Sequence, residues 1–457
     1  MNRLEGKSLT EIAKMDFVCQ CGMRHSTEIK EIVIEENAIE KLVSIVRKHL
    51  GNSGKILLSM DKNTKIVAGN RVANLLSAAG YSVKTHCFSG ETELVSCKEA
   101  YEELLADTDD QVQLLIAVGS GTLNDLTKYV AFHKNLPFFI VATAPSMDGF
   151  ASPVAPMIWD GLKYAFPAKG PVAIIADINI LKESPLRLRA AGFGDVVGKG
   201  ISICDWKLSN LILGEAYCQT VADNVLSAMK KCVQNAEGLV KGEAEAVKKT
   251  MEALVLCGLM MSYVDTSRPA SGSEHNFSHA VELIQLYRGQ PLSMHGESVA
   301  VGSVVSSLLY KKFKREHLDY GECEKRIKAR SEILWEKKVR SLPVAGTEDM
   351  IKMEREIGKN APENCLSRLK AAQKEFGEII EMIEKYVPEP EEIIEKIRKV
   401  RGPSAPQELG LSREDFRDAV LYAKDMRYRY SLLQLIWDIG KEEEYASEVT
   451  DYFYSSL

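Results

Sequence analysis

From about residue 28 to 180 the chain alternates short apolar runs with helical stretches, and after about residue 184 the strand signal almost disappears. That change of character constrains the fold more than any other feature. Lys55-Ile56-Leu57-Leu58-Ser59-Met60 reads as a strand, Asn70 to Ala79 as a helix ended by Gly80, and Tyr81 to His86 as the next strand. Gln113 to Val118 and Pro137 to Ala142 are continuous apolar runs, the pattern of strands buried on both faces of a parallel sheet. Strands alternating with helices imply right-handed crossovers and a doubly wound, Rossmann-like α/β layer.

Helical periodicity takes over downstream. Ser184-Pro185 supplies a capping residue followed by proline at a first helical position. Ser412-Arg413-Glu414-Asp415 resembles a capping box with Asp in place of Glu. Residues 310–400 are dense in Lys and Glu and are broken at Pro343, Pro362, Pro388 and Pro390. This block predicts a solvated, charged helical elaboration. The expected architecture is an α/β domain over 1–183 and an all-α domain over 184–457. The active site is expected in the cleft between them.

The net charge is -6, with basic and acidic residues interleaved. Without a basic stripe, nucleic acid is excluded as a partner. The longest apolar runs fall far short of the ~20 residues a membrane span needs. The N-terminal stretch from Met1 lacks an apolar leader core. The ten cysteines are scattered, which together with these features predicts a cytoplasmic protein. Cys19-Gln20-Cys21 offers metal donors together with His25, but a fourth ligand and a CxxC spacing are both absent, which weighs against a site there.

Two loops follow predicted strands. Gly119-Ser120-Gly121-Thr122-Leu123-Asn124-Asp125 leaves one strand and opens a helix. Glycines there let backbone approach a pyrophosphate, and the helix N-terminus stabilises the anion, although the third glycine of GxGxxG is missing. Thr143-Ala144-Pro145-Ser146-Met147-Asp148-Gly149 follows the next strand. Residues just past the carboxyl ends of such strands line the ligand crevice, and a plain capped loop is the competing reading.

Three of the chain's eight histidines, His275, His279 and His295, fall close together. His275 and His279 are four apart, so they share a helix face. Pro291 breaks the chain before His295, and a helical hairpin would bring the third imidazole beside the first two. Upstream, Gly192-Phe193-Gly194-Asp195 reads as a glycine-rich bend that leads into a helix. A carboxylate and two imidazoles make a three-ligand metal site with a position open for substrate. Four candidates compete for three positions, so His279 is a fourth ligand, a proton relay or a group behind the ligands.

Together these strings resemble the sn-glycerol-1-phosphate dehydrogenases, relatives of iron-containing alcohol dehydrogenases, glycerol dehydrogenases and dehydroquinate synthases. The most specific is Ser271-Gly-Ser-Glu-His-Asn-Phe-Ser-His279. Asp205-Trp206, His295-Gly-Glu297, Arg429-Tyr430-Ser431 and Leu435-Ile-Trp-Asp-Ile-Gly440 add to it. The resemblance spans roughly residues 30–310 and 412–440.

It implies Asp195, His275 and His295 as ligands of one divalent metal, zinc, nickel or iron. It implies His279 and Asp148 near the substrate, as catalytic and substrate-binding groups. Gly119, Gly121, Asp125, Thr143 and Ser146 are implied around NAD(H) or NADP(H). It also implies that Asp61 reaches the adenosine ribose; an acidic group there would repel a 2′-phosphate and mildly favours NAD. A cation should hold the substrate phosphate, and Lys199 is the candidate, with a solvent-facing lysine as the competing reading.

The reaction expected is hydride transfer interconverting dihydroxyacetone phosphate and sn-glycerol 1-phosphate, in a homo-oligomer, most simply a homodimer. The alternatives are a polyol dehydrogenase indifferent to phosphate and a non-catalytic metal- and nucleotide-binding scaffold or sensor.

Overall fold

The computed structural model describes residues 4–90 and 94–455; Met1 to Arg3, where the N-terminal reading above begins, lie outside the described residues. Among the described residues ten strands occur: β1 (Phe17–Val18), β2 (Arg24–His25), β3 (Glu31–Glu35), β4 (Lys55–Asp61), β5 (Ser82–Phe88), β6 (Val112–Gly119), β7 (Phe138–Ala142), β8 (Val154–Trp159), β9 (Leu162–Pro167) and β10 (Ala173–Asp177). Six of them form one sheet in the order β3-β10-β7-β6-β4-β5, every neighbouring pair parallel.

All five residues of β7 and all five of β10 are buried, and β6 is buried except at Gln113. Full burial of a Val, Leu, Ile or Phe side chain contributes about 1.5–3 kcal/mol. These strands therefore read as unbroken apolar runs rather than alternating ones. The helices Asn70–Ala78, Lys98–Asp107 and Gly121–Lys134 carry the chain from β4 to β5, β5 to β6 and β6 to β7. The chain runs outward from β4 to β5 and then returns to β6 on the other side of β4. That reversal makes β4 and β6 the topological switch point, outside whose carboxyl ends doubly wound sheets bind ligands. Asp61 ends β4 and Gly119 ends β6.

The small sheets β1–β2 and β8–β9 were not expected. Strands of two residues carry no readable period. The β8–β9 sheet did leave a signal: its turn is Asp160-Gly161, with φ of +49° and +82°, the Asp-Gly pair that a tight hairpin favours.

Beyond residue 184 the described residues form helices and no strand. The helix at Ser184-Pro185 begins with Leu186 and runs to Val197. Ser412 caps Arg413–Tyr422, its hydroxyl accepting the Asp415 N–H at 3.0 Å. No described helix is long and apolar enough to cross a membrane.

The chain packs as two compact units that do not divide at residue 184. The first comprises Met1–Trp159, Tyr164–Val196 and Cys218–Ala270; the second comprises Asp160–Lys163, Val197–Tyr217 and Ser271–Leu457. The helix Ala244–Tyr263 joins the first unit because its residues seat against that unit's loops. A Cβ on Gly258 would lie 2.8 Å from the Asp148 carbonyl oxygen, and Ser262 Oγ donates to the Ala151 carbonyl at 2.7 Å.

The charged block of residues 310–400 is helical, as expected, but two of its basic side chains are not solvated. Arg368 is buried and donates to both oxygens of Asp438 at 2.7 Å. Lys359 is buried, donates to the Arg427 carbonyl at 3.0 Å and pairs with Asp425 at 3.5 Å. A dense Lys/Glu composition reads as a solvated face, yet these helices also bury Ile327, Val339, Leu369, Ile383 and Ile397. The cations beside that apolar seam went inside with partners, as buried charges require.

Candidate active site

In the first unit the loops after β6 and β7 are clasped together. The Thr143 N–H donates to the Gly119 carbonyl at 2.9 Å, and the Ser120 and Ser146 hydroxyls bond to each other. A Cβ on Gly119 would meet Leu123 Cδ1 at 2.3 Å, so a side chain there would displace Leu123. Gly121 opens the helix Gly121–Lys134, and a Cβ on it would come within 3.2 Å of Met147 Cγ. The first N–H groups of such a helix have no partner within it and suit an anion. Asp61 is partly exposed at the end of β4, its Oδ1 accepting from the Asn63 and Thr64 N–H groups at 2.8 Å. The segments after β6 and β7 that carry Gly119, Gly121, Asp125, Thr143 and Ser146 thus meet at the carboxyl edge of the sheet, in which β4, the neighbour of β6, ends in Asp61.

Lys128 is a group the sequence reading missed. It is fully buried and donates to the Gly149 carbonyl at 2.8 Å, Ser152 Oγ at 3.1 Å and the Val154 carbonyl at 3.0 Å; Asp125 Oδ1 lies 3.4 Å away. Burial lowers its pKa, and Asp125 opposes the shift. It fixes the exit of the Thr143–Gly149 loop. Its signal was available: a lysine three residues after Asp125 among Leu123, Leu126 and Val130.

Asp195 does not start a helix after a glycine bend. It lies in the last turn of the helix Leu186–Val197. Gly192 is there for packing: a Cβ would fall 1.8 Å from the Pro145 carbonyl oxygen. The helix therefore presses onto the loop after β7, and the Asp148 N–H donates to Asp195 Oδ2 at 2.9 Å. Both residues are buried. The first unit thus presents a fixed carboxylate beside Asp148.

In the second unit three imidazoles converge. His275 and His279 lie on the helix Ser273–Tyr287, and His295 is the first residue of the helix His295–Arg315. Ring centroids are 5.1 Å apart for His275–His295, 6.3 Å for His279–His295 and 6.5 Å for His275–His279. A Cβ on Gly302 would lie 2.4 Å from the Glu274 carbonyl oxygen, so glycine is what lets these helices pack this closely. Glu274, fully buried, accepts from His275 Nδ1–H at 2.7 Å, which leaves Nε2 with its lone pair for a metal. His279 Nδ1 is buried without a hydrogen-bond partner among the described residues. Burial, with Arg427, Lys163 and the other two imidazoles, holds its pKa well below the usual value, which favours the neutral imidazole.

Asp205 supports this arrangement. Its Oδ1 accepts from Tyr310 Oη–H at 2.6 Å and the Leu432 N–H at 2.7 Å, and its Oδ2 from the Ser273 N–H at 2.5 Å. It thus holds the first N–H of the His275 helix. Burial, with Glu274 nearby, pushes its pKa up to about 6. Lys199 is fully buried, which removes the solvent-facing reading. Arg427 was missed, and no spacing or motif pointed to it. It ends a short turn, its Nε is buried without a partner among the described residues, and burial lowers its pKa to about 10.

Residues 33–185 match the family model of the iron-containing alcohol dehydrogenases. The chain is 31% identical over 432 residues to glycerol-1-phosphate dehydrogenase (NAD(P)+) of Bacillus velezensis, covering 94% of this chain and 96% of that protein. It is 34% identical over 281 residues to the protein of that name from Pyrococcus furiosus, covering 62% and 78%. The crystal structure of glycerol dehydrogenase from Schizosaccharomyces pombe shares the fold, with a TM-score of 0.59 at 17% identity over 94% of each chain. This chain belongs to the glycerol-1-phosphate dehydrogenase family of the iron-containing alcohol dehydrogenase group.

Proposed function

We propose that the protein is a metal-dependent, NAD(P)H-linked dehydrogenase that interconverts dihydroxyacetone phosphate and sn-glycerol 1-phosphate. The observation that carries this reading is the convergence of three imidazoles, His275 and His279 buried and His295 partly so, with His275 oriented by Glu274, in a chain of this family. Asp195, His275 and His295 are the ligand set; oxygen and imidazole donors suit zinc, nickel or iron. A bound divalent ion supplies Lewis-acid polarisation at the substrate oxygen, and the nicotinamide supplies the hydride.

The chain's own groups do the rest. His279, whose Nδ1 has no hydrogen-bond partner among the described residues, holds or moves the proton at the reacting oxygen, and Asp148 orients the substrate hydroxyls. Arg427 joins Lys199 as a candidate for the phosphate; its charge is felt at His279, and its guanidinium fork suits phosphate. Gly119, Gly121, Asp125, Thr143 and Ser146 cradle the dinucleotide. Asp61 faces the ribose with the oxygen its cap leaves over, which favours NAD over NADP. Ten cysteines, all free, fit a reducing cytoplasm, in which we place the protein as a homo-oligomer.

The test is NADH consumption with dihydroxyacetone phosphate against dihydroxyacetone, with the product resolved into glycerol 1-phosphate and glycerol 3-phosphate. Turnover with the phosphate alone, yielding the 1-phosphate, is expected. Equal turnover of dihydroxyacetone would make it a polyol dehydrogenase, and no turnover of either with metal supplied would make it a scaffold.

The cradle has its own test. Gly121→Val should weaken NADH binding at least ~10-fold, a cost of about 1.4 kcal/mol. The added branch meets Met147 and narrows the approach to the helix N-terminus. Bound metal should stay near the wild-type level. Unchanged NADH affinity by calorimetry would leave this loop as an ordinary turn.

A further inference from the structure

The hairpin β1–β2 holds a second group of metal donors, all within the first unit and unused by the chemistry above. Its strands pair Phe17 with His25 and Val18 with Arg24. The connecting residues turn tightly: the Cys19 N–H donates to the Met23 carbonyl at 2.9 Å and the Gly22 N–H to the Cys19 carbonyl at 3.0 Å. Gly22 has φ of +85°, a conformation glycine adopts without strain. This turn puts the Cys19 and Cys21 sulfurs beside His25. The fourth donor comes from almost two hundred residues away. Cys218 stands at the N-cap of the helix Gln219–Val233.

One donor atom from each of Cys19, Cys21, His25 and Cys218 lies within 4.8 Å of all the others. Cys19 Sγ is 3.7 Å from Cys218 Sγ, His25 Nε2 is 3.3 Å from Cys218 Sγ, and Cys21 Sγ is 3.7 Å from His25 Nε2. A tetrahedral zinc ion, with Zn–S of about 2.3 Å and Zn–N of about 2.0–2.1 Å, separates sulfurs by about 3.8 Å and sulfur from nitrogen by about 3.5 Å. The donors are therefore spaced as the corners of such a site.

The histidine is also set for it. His25 Nδ1 lies 2.8 Å from the Tyr263 carbonyl oxygen. Because that oxygen only accepts, Nδ1 carries the proton and Nε2 turns its lone pair to the three sulfurs. The His25 ring stacks on Tyr263 at 5.4 Å, and Tyr263 Oη donates to the Ile12 carbonyl at 2.5 Å, so the hairpin and its surroundings hold the ring in place. His25 and Cys218 are fully buried, while Cys19 and Cys21 are partly exposed.

We propose that Cys19, Cys21, His25 and Cys218 bind a structural zinc ion, distinct from the metal held by Asp195, His275 and His295. Three thiolates and one imidazole close the coordination shell and leave no position for substrate, as in structural zinc sites. The ion joins the N-terminal hairpin to the start of the Gln219–Val233 helix. Soft thiolates select zinc over the harder divalent ions.

The test counts and fingerprints metal in the full chain, purified without chelator. Cys21→Ser should carry about one equivalent of zinc less than wild type, and Cys21→His, which restores a nitrogen donor, should keep it. Wild-type protein refilled with cobalt should show the near-ultraviolet absorption of sulfur-to-cobalt charge transfer. The His275→Ala variant should retain that absorption, because its missing ligand belongs to the other site. Unchanged zinc in Cys21→Ser, a cobalt spectrum without thiolate absorption, or a Cys19–Cys218 disulfide in peptide maps of the native protein would each overturn the proposal. Should Cys21→Ser fail to fold, the wild-type cobalt spectrum decides alone.

Discussion

His275→Ala is expected to lose one equivalent of metal and all measurable turnover while staying folded. Two remaining ligands hold a divalent ion poorly against water, since catalytic sites of this kind use three. The substitution shortens one side chain beside His295, so the helix Ser273–Tyr287, anchored at Ser273 by Asp205, keeps its place. Elemental analysis beside the NADH assay reads both halves, and full metal occupancy in the variant would remove His275 from the ligand set. His279→Asn separates ligand from proton carrier. It should keep its metal and lose ~10²-fold or more in turnover, a usual cost of losing a positioned proton-transfer group. Loss of metal there would make His279 a ligand.

The parts of this site that the sequence reveals are those written in local periods. The i, i+4 pair His275–His279 and the break at Pro291 predict a helical hairpin, and the structure has one. The strands β4, β6 and β7 were legible to within a residue or two, because a strand buried on both faces needs an unbroken apolar run. Relations across long separations were not legible. Cys19, Cys21 and His25 look one ligand short until folding delivers Cys218. The glycines around Asp195 suggested a bend because sequence does not tell a glycine needed for φ from one needed for close packing, and Gly192 is the second kind. The two units interleave along the chain, so no single boundary describes them. Burial of Lys128, Lys199, Lys359 and Arg368 was hidden by the general rule that charges face solvent, which fails where a partner waits inside.

Arg368 gives the largest stability effect expected outside the ligand set. Its guanidinium donates to both oxygens of Asp438 and also to the Lys359 carbonyl at 2.5 Å, and Asp438 is fully buried. Arg368→Ala would strand that carboxylate among neutral side-chain donors, Gln434 Nε2 at 3.2 Å with the Tyr430 and Cys365 side chains, and no cation would pair with it. Breaking a buried pair on one side costs about 3–5 kcal/mol. At about 2–4 °C of Tm per kcal/mol for a unit of this size, a fall of roughly 6–20 °C follows. The paired replacement Arg368→Met with Asp438→Leu should recover most of the loss, because it removes both charges and leaves neither buried alone. Asp438 lies in the helix Leu432–Asp438, whose first N–H is held by Asp205, the residue that also holds Ser273. The single variant should therefore weaken metal retention at His275 as well as Tm, and the paired variant should restore both. Urea unfolding of the three proteins, with metal content measured alongside, checks the argument. A loss under about 1 kcal/mol in Arg368→Ala would mean that water reaches Asp438, as it does in exposed ion pairs.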